Sequence, residues 1–326
     1  MEESNPWKSI TVPTSVGEIN SLRVDGHKKH SFWWTVDSDG RPGLAVDFID
    51  ELQSTPSIPN FSIIEAIIVP NKKALHLTLL DKEIIKKFRV LCHDVITDTQ
   101  DVEDKNDKQL LENLLSSLTR WQKLFEIKKI KAPTQSQKLG ILGELCCLVH
   151  FVAAKTNFRH AVDAWQGPKG HEQDFSVNGH LIEVKTQLSS SDKIVKISSL
   201  EQLDTISGPI WLKHIGVSPA DRLSVDTISI NSLINTVVTG LKGDNFGTDI
   251  FVTLLEHIGF SVENEFGDEQ FTIPFQNIYQ VQKDFPCITK EMVGSSAIIK
   301  VSYSINMSEL TPWMVETDVA KQEIFN

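Results

Sequence analysis

A chain of 326 residues is long enough for two or three domains, each with its own core. With 40% hydrophobic and 23% charged residues it has the make-up of a globular protein, which excludes a disordered or fibrous chain. The net charge of −11 argues against unselective attraction to a phosphate backbone, but the excess is local: residues 216–326 hold 15 acidic against six basic groups, whereas residues 138–215 hold eight of each.

No apolar run of about 18 residues is expected to span a membrane, and Met1-Glu2-Glu3-Ser4 does not open like a signal peptide. Cys92, Cys146, Cys147 and Cys287 show no CxxC spacing and read as reduced, buried thiols, which fits a cytoplasmic setting.

Residues 1–105 read as a β-rich N-terminal domain. Ser31–Val36 and Leu44–Phe48 are strand-like runs around the turn Asp37-Ser38-Asp39-Gly40-Arg41-Pro42-Gly43. A second pair, 61–69 and 74–80, flanks Pro70-Asn71-Lys72-Lys73. Asp81 is placed to cap a helix with Ile84, Ile85, Phe88, Leu91, Cys92 and Val95 on its apolar face. Trp33-Trp34 suits either a base-stacking platform or a sheet interior. A polar connector at 98–108 leads into a helix marked by Leu110, Leu111, Leu114, Leu115, Leu118, Trp121, Leu124 and Phe125. Lys128, Lys129 and Lys131 follow, as a solvated helix end or a phosphate contact.

Residues 106–217 read as the central domain, led by that helix. Thr134-x-x-Gln137 is a capping box opening a helix from Gln135 to about Lys155. From Leu139 to Ala154 it is apolar nearly all round, with Glu144 its only formally charged residue. Either that carboxylate is buried and needs a partner or a proton, or it reaches water at the helix edge. A glycine-rich turn, Trp165-Gln166-Gly167-Pro168-Lys169-Gly170, precedes a hairpin centred on Asn178-Gly179. A type I′ turn there needs positive φ at both residues and sets the register Val177–His180, Ser176–Leu181, Phe175–Ile182 and Asp174–Glu183. Opposed side chains in such a pair stand roughly 5 Å apart, so two carboxylates would repel unless a cation joined them. Period-two alternation puts Lys185 on the face of Glu183 and Val184 on the other. A strand at Lys193–Ile197, a second capping box Ser198-x-x-Glu201 opening a helix through Leu203, and a strand at Ile210–Val217 complete a mixed α/β layer. Residues 218–326 read as an acidic C-terminal α/β region with helices at Ser232–Leu241 and Asp249–Ile258 and strands near Phe271–Pro274 and Ala297–Ser304.

Glu144, Asp174, Glu183 and Lys185 together suit metal-assisted hydrolysis of a phosphodiester. Magnesium or manganese takes oxygen ligands, at about 2.1 Å for magnesium, and Asp174 and Glu183 would supply them, with the Val184 carbonyl and Glu144 as further candidates. Such an ion acidifies water and offsets charge at phosphorus, while Lys185 orients water or steadies the transition state. His171 reads as a loop residue beside the site or as a ligand. Glu183-x-Lys185 taken alone also describes a surface ion-pair ladder. No Cys/His cluster has zinc spacing, and no GxxxxGK[ST] loop is present.

The string Gly143-Glu144-Leu145, Trp165-x-Gly167-Pro168, Asp174-Phe175, Ile182-Glu183-Val184-Lys185-Thr186 and Gln202-Leu203 resembles the PD-(D/E)XK nuclease superfamily. Within it, the string is similar to a bacterial branch of "PD-(D/E)XK motif" proteins associated with restriction-modification and phage-defence operons. The resemblance implies an α/β (α+β) fold with a restriction-endonuclease-like αβββαβ core. It makes Asp174 and Glu183 metal ligands, Glu144 the helix carboxylate that adds to them, Lys185 the catalytic lysine, and Gln202 a supporting helix glutamine. The implied activity is that of a Mg2+- or Mn2+-dependent endonuclease on double-stranded DNA, the cleaving subunit of a restriction-modification or phage-defence system. Partners would be a second copy of the chain or operon proteins such as a methyltransferase and a helicase or other ATPase. The departure is at Gln173-Asp174, where the family's proline is missing. Two other readings stand beside this one: a nuclease-like fold that no longer cuts and serves in recognition or assembly, and a hydrolase of small phosphoesters.

Overall fold

The computed structural model describes residues 5–326, apart from 28, 50–55, 70–72, 126–132, 206–207, 221–223, 283 and 296. The lysine run at 128–131 and most of the turn at 70–73 therefore lie outside the described residues. The chain forms two compact units, Met1–Lys129 and Ile130–Asn326.

The first unit is built on a five-stranded antiparallel sheet of β1 (Ile19–Arg23), β2 (Phe32–Asp37), β3 (Pro42–Asp47), β4 (Ile64–Val69) and β5 (Ala74–Leu79), in the order β1-β2-β3-β5-β4. The β2–β3 turn is fixed locally: the Asp37 side chain accepts from the backbone N–H of Asp39 and Arg41, and Gly40 takes a φ of +67°. Trp33 and Trp34 are sheet residues. Trp33 donates to Asp47, and Trp34 meets Trp7 edge-on at 5.2 Å. Strand β1 has no sequence signal, because its five residues are mostly polar and exposed. Asp81 does cap, accepting from the Glu83 N–H, but it opens a short 3-10 turn before α1 (Ile85–Asp98). Helix α2 (Asp107–Phe125) packs on α1.

The boundaries expected at 105 and 217 are therefore not the ones that packing draws. The helix expected to lead the central domain belongs to the first unit, because its leucine face needs α1 to cover it. The last third is no separate region either: two of its strands complete the sheet of the second unit.

In that unit α3 (Gln135–Cys147) opens on the full Thr134–Gln137 capping box and continues as a π-helical stretch, Leu148–Ala153. Helix α4 (Phe158–Ala164) follows without having been expected. The sheet runs β12-β10-β9-β7-β6, with β6 (Phe175–Val177), β7 (His180–Leu188), β9 (Ile210–Pro219), β10 (Phe271–Val281) and β12 (Met314–Val315). Only the β7–β9 pairing is parallel. Strand β8 (Ile194–Ile197) leaves the sheet and pairs with β11 (Tyr303–Asn306). Helices α5 (Ile230–Gly240), α6 (Asn245–His257), α7 (Lys290–Val293) and α8 (Thr317–Phe325) complete the unit. Mixed α/β architecture is thus what the chain adopts.

Helix α3 lies on β7 so closely that a side chain at Gly143 would occupy the space of Thr186. The stretch Gln135–Ala153 is, by length and composition, apolar enough to cross a membrane, contrary to the expectation that no such run exists. Here it is a core helix, with Ile141, Leu142, Leu145, Cys146, Leu148, Phe151 and Val152 buried. The second capping box does not form. Glu201–Leu203 is a single 3-10 turn whose cap residue, Leu200, has no side-chain acceptor; the Ser198 N–H goes to Gln202 Oε1 and the Ser199 hydroxyl to Glu172.

Candidate functional site

The β6–β7 hairpin has the turn its sequence requires, with φ of +50° at Asn178 and +80° at Gly179. The ladder pairs Val177 with His180, Ser176 with Leu181 and Phe175 with Ile182. It stops there. Asp174 leaves the strand: its N–H donates to the Ile182 carbonyl at 3.1 Å, and its Oδ2 accepts from the Val184 N–H at 2.7 Å. Its own carbonyl accepts from Gln166 and Gly167 at 2.8 and 3.1 Å. Asp174 is therefore clamped across the end of the hairpin by four backbone-linked bonds, instead of standing in a plain cross-strand pair with Glu183.

Alternation on β7 places Leu181, Glu183 and Lys185 on one face. Leu181 packs there against the core of Leu203, Ile210, Leu212 and Tyr279. Glu183 is only 1% exposed, and its Oε1 lies 2.6 Å from Lys185 Nζ. Lys185 also donates to Gln202 Oε1 at 3.4 Å, and the same oxygen takes the Ser198 N–H at 2.8 Å. The bond that replaced the expected helix cap thus holds the glutamine against the lysine.

Glu144 reaches the group from α3. Its Oε2 accepts from Trp165 Nε1 at 2.8 Å. A methyl group at Gly167 would lie 3.0 Å from Asp174 Oδ1 and 3.1 Å from Glu144 Oε2, so glycine lets the two carboxylates close around the backbone. All five residues expected at the site, Glu144, Asp174, Glu183, Lys185 and Gln202, are brought together or linked through one another. His171 is exposed on the loop that follows Gly170.

The electrostatics are those of acids crowded away from water. Burial, and after it the charge of Asp174, raises the Glu144 pKa to about 8. Burial raises Asp174 to about 6, against the opposing pull of the Val184 N–H and Lys185. Glu183 is raised as well, by burial first and then by Asp174, although Lys185 favours its charged form.

The donor set fits a hard divalent cation. All the donors are carboxylate oxygens, and Glu183 Oε2 is buried without a hydrogen-bond partner. Among the described residues no three His, Cys, Asp or Glu side chains stand close enough to cage an ion unaided. An ion here would keep several waters, as magnesium does.

Two residues enter the picture that the sequence did not single out for a role. Trp165 orients Glu144, and its place in the turn just before Asp174 was the available signal. His214 on β9 is the parallel neighbour of Lys185, 1% exposed, with neither ring nitrogen bonded. Burial lowers its pKa to about 4. Only the parallel register reveals it.

Residues 4–308 match the model of a family described as "Putative PD-(D/E)XK family member, (DUF4420)". No curated protein and no solved structure matches the chain.

Proposed function

The chain belongs to this PD-(D/E)XK family, and from that premise we propose that it is a divalent-metal-dependent endonuclease acting on double-stranded DNA. The observation that carries the reading is the convergence of Glu144, Asp174, Glu183 and Lys185 from a helix, a loop and a strand, in surroundings that leave three acids short of positive charge. Asp174 and Glu183, with Glu144 behind them, would hold Mg2+ or Mn2+. When bound, the ion would supply an acidified water and offset charge on the scissile phosphate.

The chain's own part follows from its contacts. An ammonium has three N–H donors. Lys185 gives one to Glu183 and one to Gln202, and the third is left to meet a phosphate oxygen or the attacking water. Gln202, fixed by the Ser198 N–H, sets where that third donor points. Trp165 and the Val184 N–H keep Glu144 and Asp174 from turning away.

The resemblance of the motif string supports a place as the cleaving subunit of a bacterial restriction-modification or phage-defence system in the cytoplasm. It would act as a homodimer, or with a methyltransferase and a helicase or other ATPase. In the test, purified protein with magnesium nicks unmethylated supercoiled plasmid, and Asp174→Ala and Lys185→Ala each slow nicking by at least about 100-fold. Equal cutting by the variants overturns the assignment.

One observation favours a second reading, a nuclease fold retained as a recognition or assembly subunit: Lys185 already pairs with Glu183 Oε1. Calorimetry separates the two, since a scaffold takes up neither magnesium nor manganese.

A further inference from the structure

Lys213 stands on β9 between Leu212 and His214, and so faces the other side of the sheet, toward the π-helical stretch that follows α3. It is 2% exposed. Its ammonium lies 4.6 Å from the centre of the Phe151 ring. A second ammonium, that of Lys321 on α8, lies 5.4 Å from the same ring. The pKa of His150, the neighbour of Phe151 in the chain, is lowered by burial first and then by Lys213 and Lys321.

The positive groups are not balanced. Among the described residues neither lysine makes an ion pair. Burial lowers the Lys213 pKa, and the groups that oppose this are the thiols of Cys147 and Cys146 on α3. Burial pushes both thiols up, Cys146 to about 11, so they carry no negative charge at neutral pH. Burying an ammonium without a counter-charge is costly, and a second lysine on the same ring adds repulsion. The ring face offsets only part of that cost. A methionine would fill the same volume without it.

We propose that Lys213, Lys321 and His150 form a phosphate-binding subsite on the helix face of the sheet, with Phe151 as its floor. Two point-charge ammonium groups and an imidazole can each meet a different oxygen of a tetrahedral anion, whereas a planar carboxylate offers only two. Inorganic phosphate and the backbone of a nucleic-acid strand both present that group. The strand as source rests on the nuclease reading.

The test is calorimetric titration of the metal-free full-length protein, in EDTA at constant ionic strength, with inorganic phosphate and separately with a short duplex oligonucleotide. Wild type binds phosphate, and Lys213→Met and Lys321→Met each weaken binding at least tenfold. If Lys213→Met does not fold, Lys321→Met decides, because that side chain is only partly buried. Displacement of phosphate by the duplex identifies the strand as the source, and phosphate binding that the duplex leaves untouched identifies a free anion; either supports the subsite. Absence of phosphate binding, or affinity unchanged in the variants, overturns it. Plasmid nicking is scored separately, so an inactive wild type that still binds phosphate refutes the nuclease and leaves the subsite standing.

Discussion

The two units use one device to different ends. In the first, the indole N–H of Trp121 on α2 donates to Asp94 Oδ2 on α1 at 2.9 Å, with both residues buried. In the second, the indole of Trp165 donates to Glu144 Oε2 at 2.8 Å. The acid nearest Asp94 along α1 has its own donors: Asp98 receives the Ser117 hydroxyl at 2.5 Å and the Arg120 guanidinium. Around Glu144 the acids are crowded instead: after burial itself, Asp174 raises both Glu144 and Glu183, and Glu144 adds to the rise of Glu183. The first pair pins two helices and lowers the energy of the fold. The second holds a carboxylate beside other buried acids, the kind of local conflict that the proposed site would put to use.

Trp→Phe substitutions sharpen this contrast, since both rings are fully buried and the lost volume is similar. Trp121→Phe leaves a buried aspartate oxygen without its donor, at about 1–3 kcal/mol, on top of about 1 kcal/mol for the shrunken ring. A loss of about 3 kcal/mol in denaturant unfolding, with an unchanged m-value, is expected. Trp165→Phe removes a bond to an acid that is mostly protonated at neutral pH, which is worth about 0.5–1.5 kcal/mol. Its total loss should be about 2 kcal/mol, yet plasmid nicking should fall with it, because Glu144 is freed to rotate. Equal stability losses for the two variants would erase the distinction between pin and site.

How far the sequence foretold this depends on the range over which each signal acts. The Asn178-Gly179 turn and the Thr134–Gln137 box are complete within four residues, and both appear as expected. Glu183 and Lys185 share a face because a strand alternates, whatever it pairs with. Asp174 was placed opposite Glu183 by extending that logic one step too far. The turn at Trp165–Gly167 takes its carbonyl and lifts it out of the ladder, and nothing in the hairpin itself encodes that. The Ser198 box failed for a similar reason: Gln202 takes the Ser198 N–H, and the turn opens two residues later, at Leu200. His214 and Lys213 were invisible because only a parallel register between strands some 30 residues apart in sequence gives them neighbours. Domain boundaries suffered most. An amphipathic helix shows that it needs a partner, and the leucines of α2 do not say that the partner is α1.

The effect most specific to the second pair is a pH dependence of about 1.4 kcal/mol for each pH unit. In the unfolded chain Glu144 ionises near 4.5, and in the fold near 8. Between those values the folded state holds a proton that the unfolded state has lost, so stability falls as pH rises through this window and levels off on either side. Glu144→Gln keeps an oxygen for the Trp165 indole and does not titrate. The variant should therefore unfold at a higher temperature than wild type in EDTA, with a gap that widens from pH 5 to pH 8. Asp174 and Glu183 titrate in both proteins and largely cancel. Parallel curves would mean that Glu144 is already ionised in the fold, with a positive partner beside it. The second tryptophan pair would then be a structural pin like the first, and the case for a cation at this site would lose its electrostatic support.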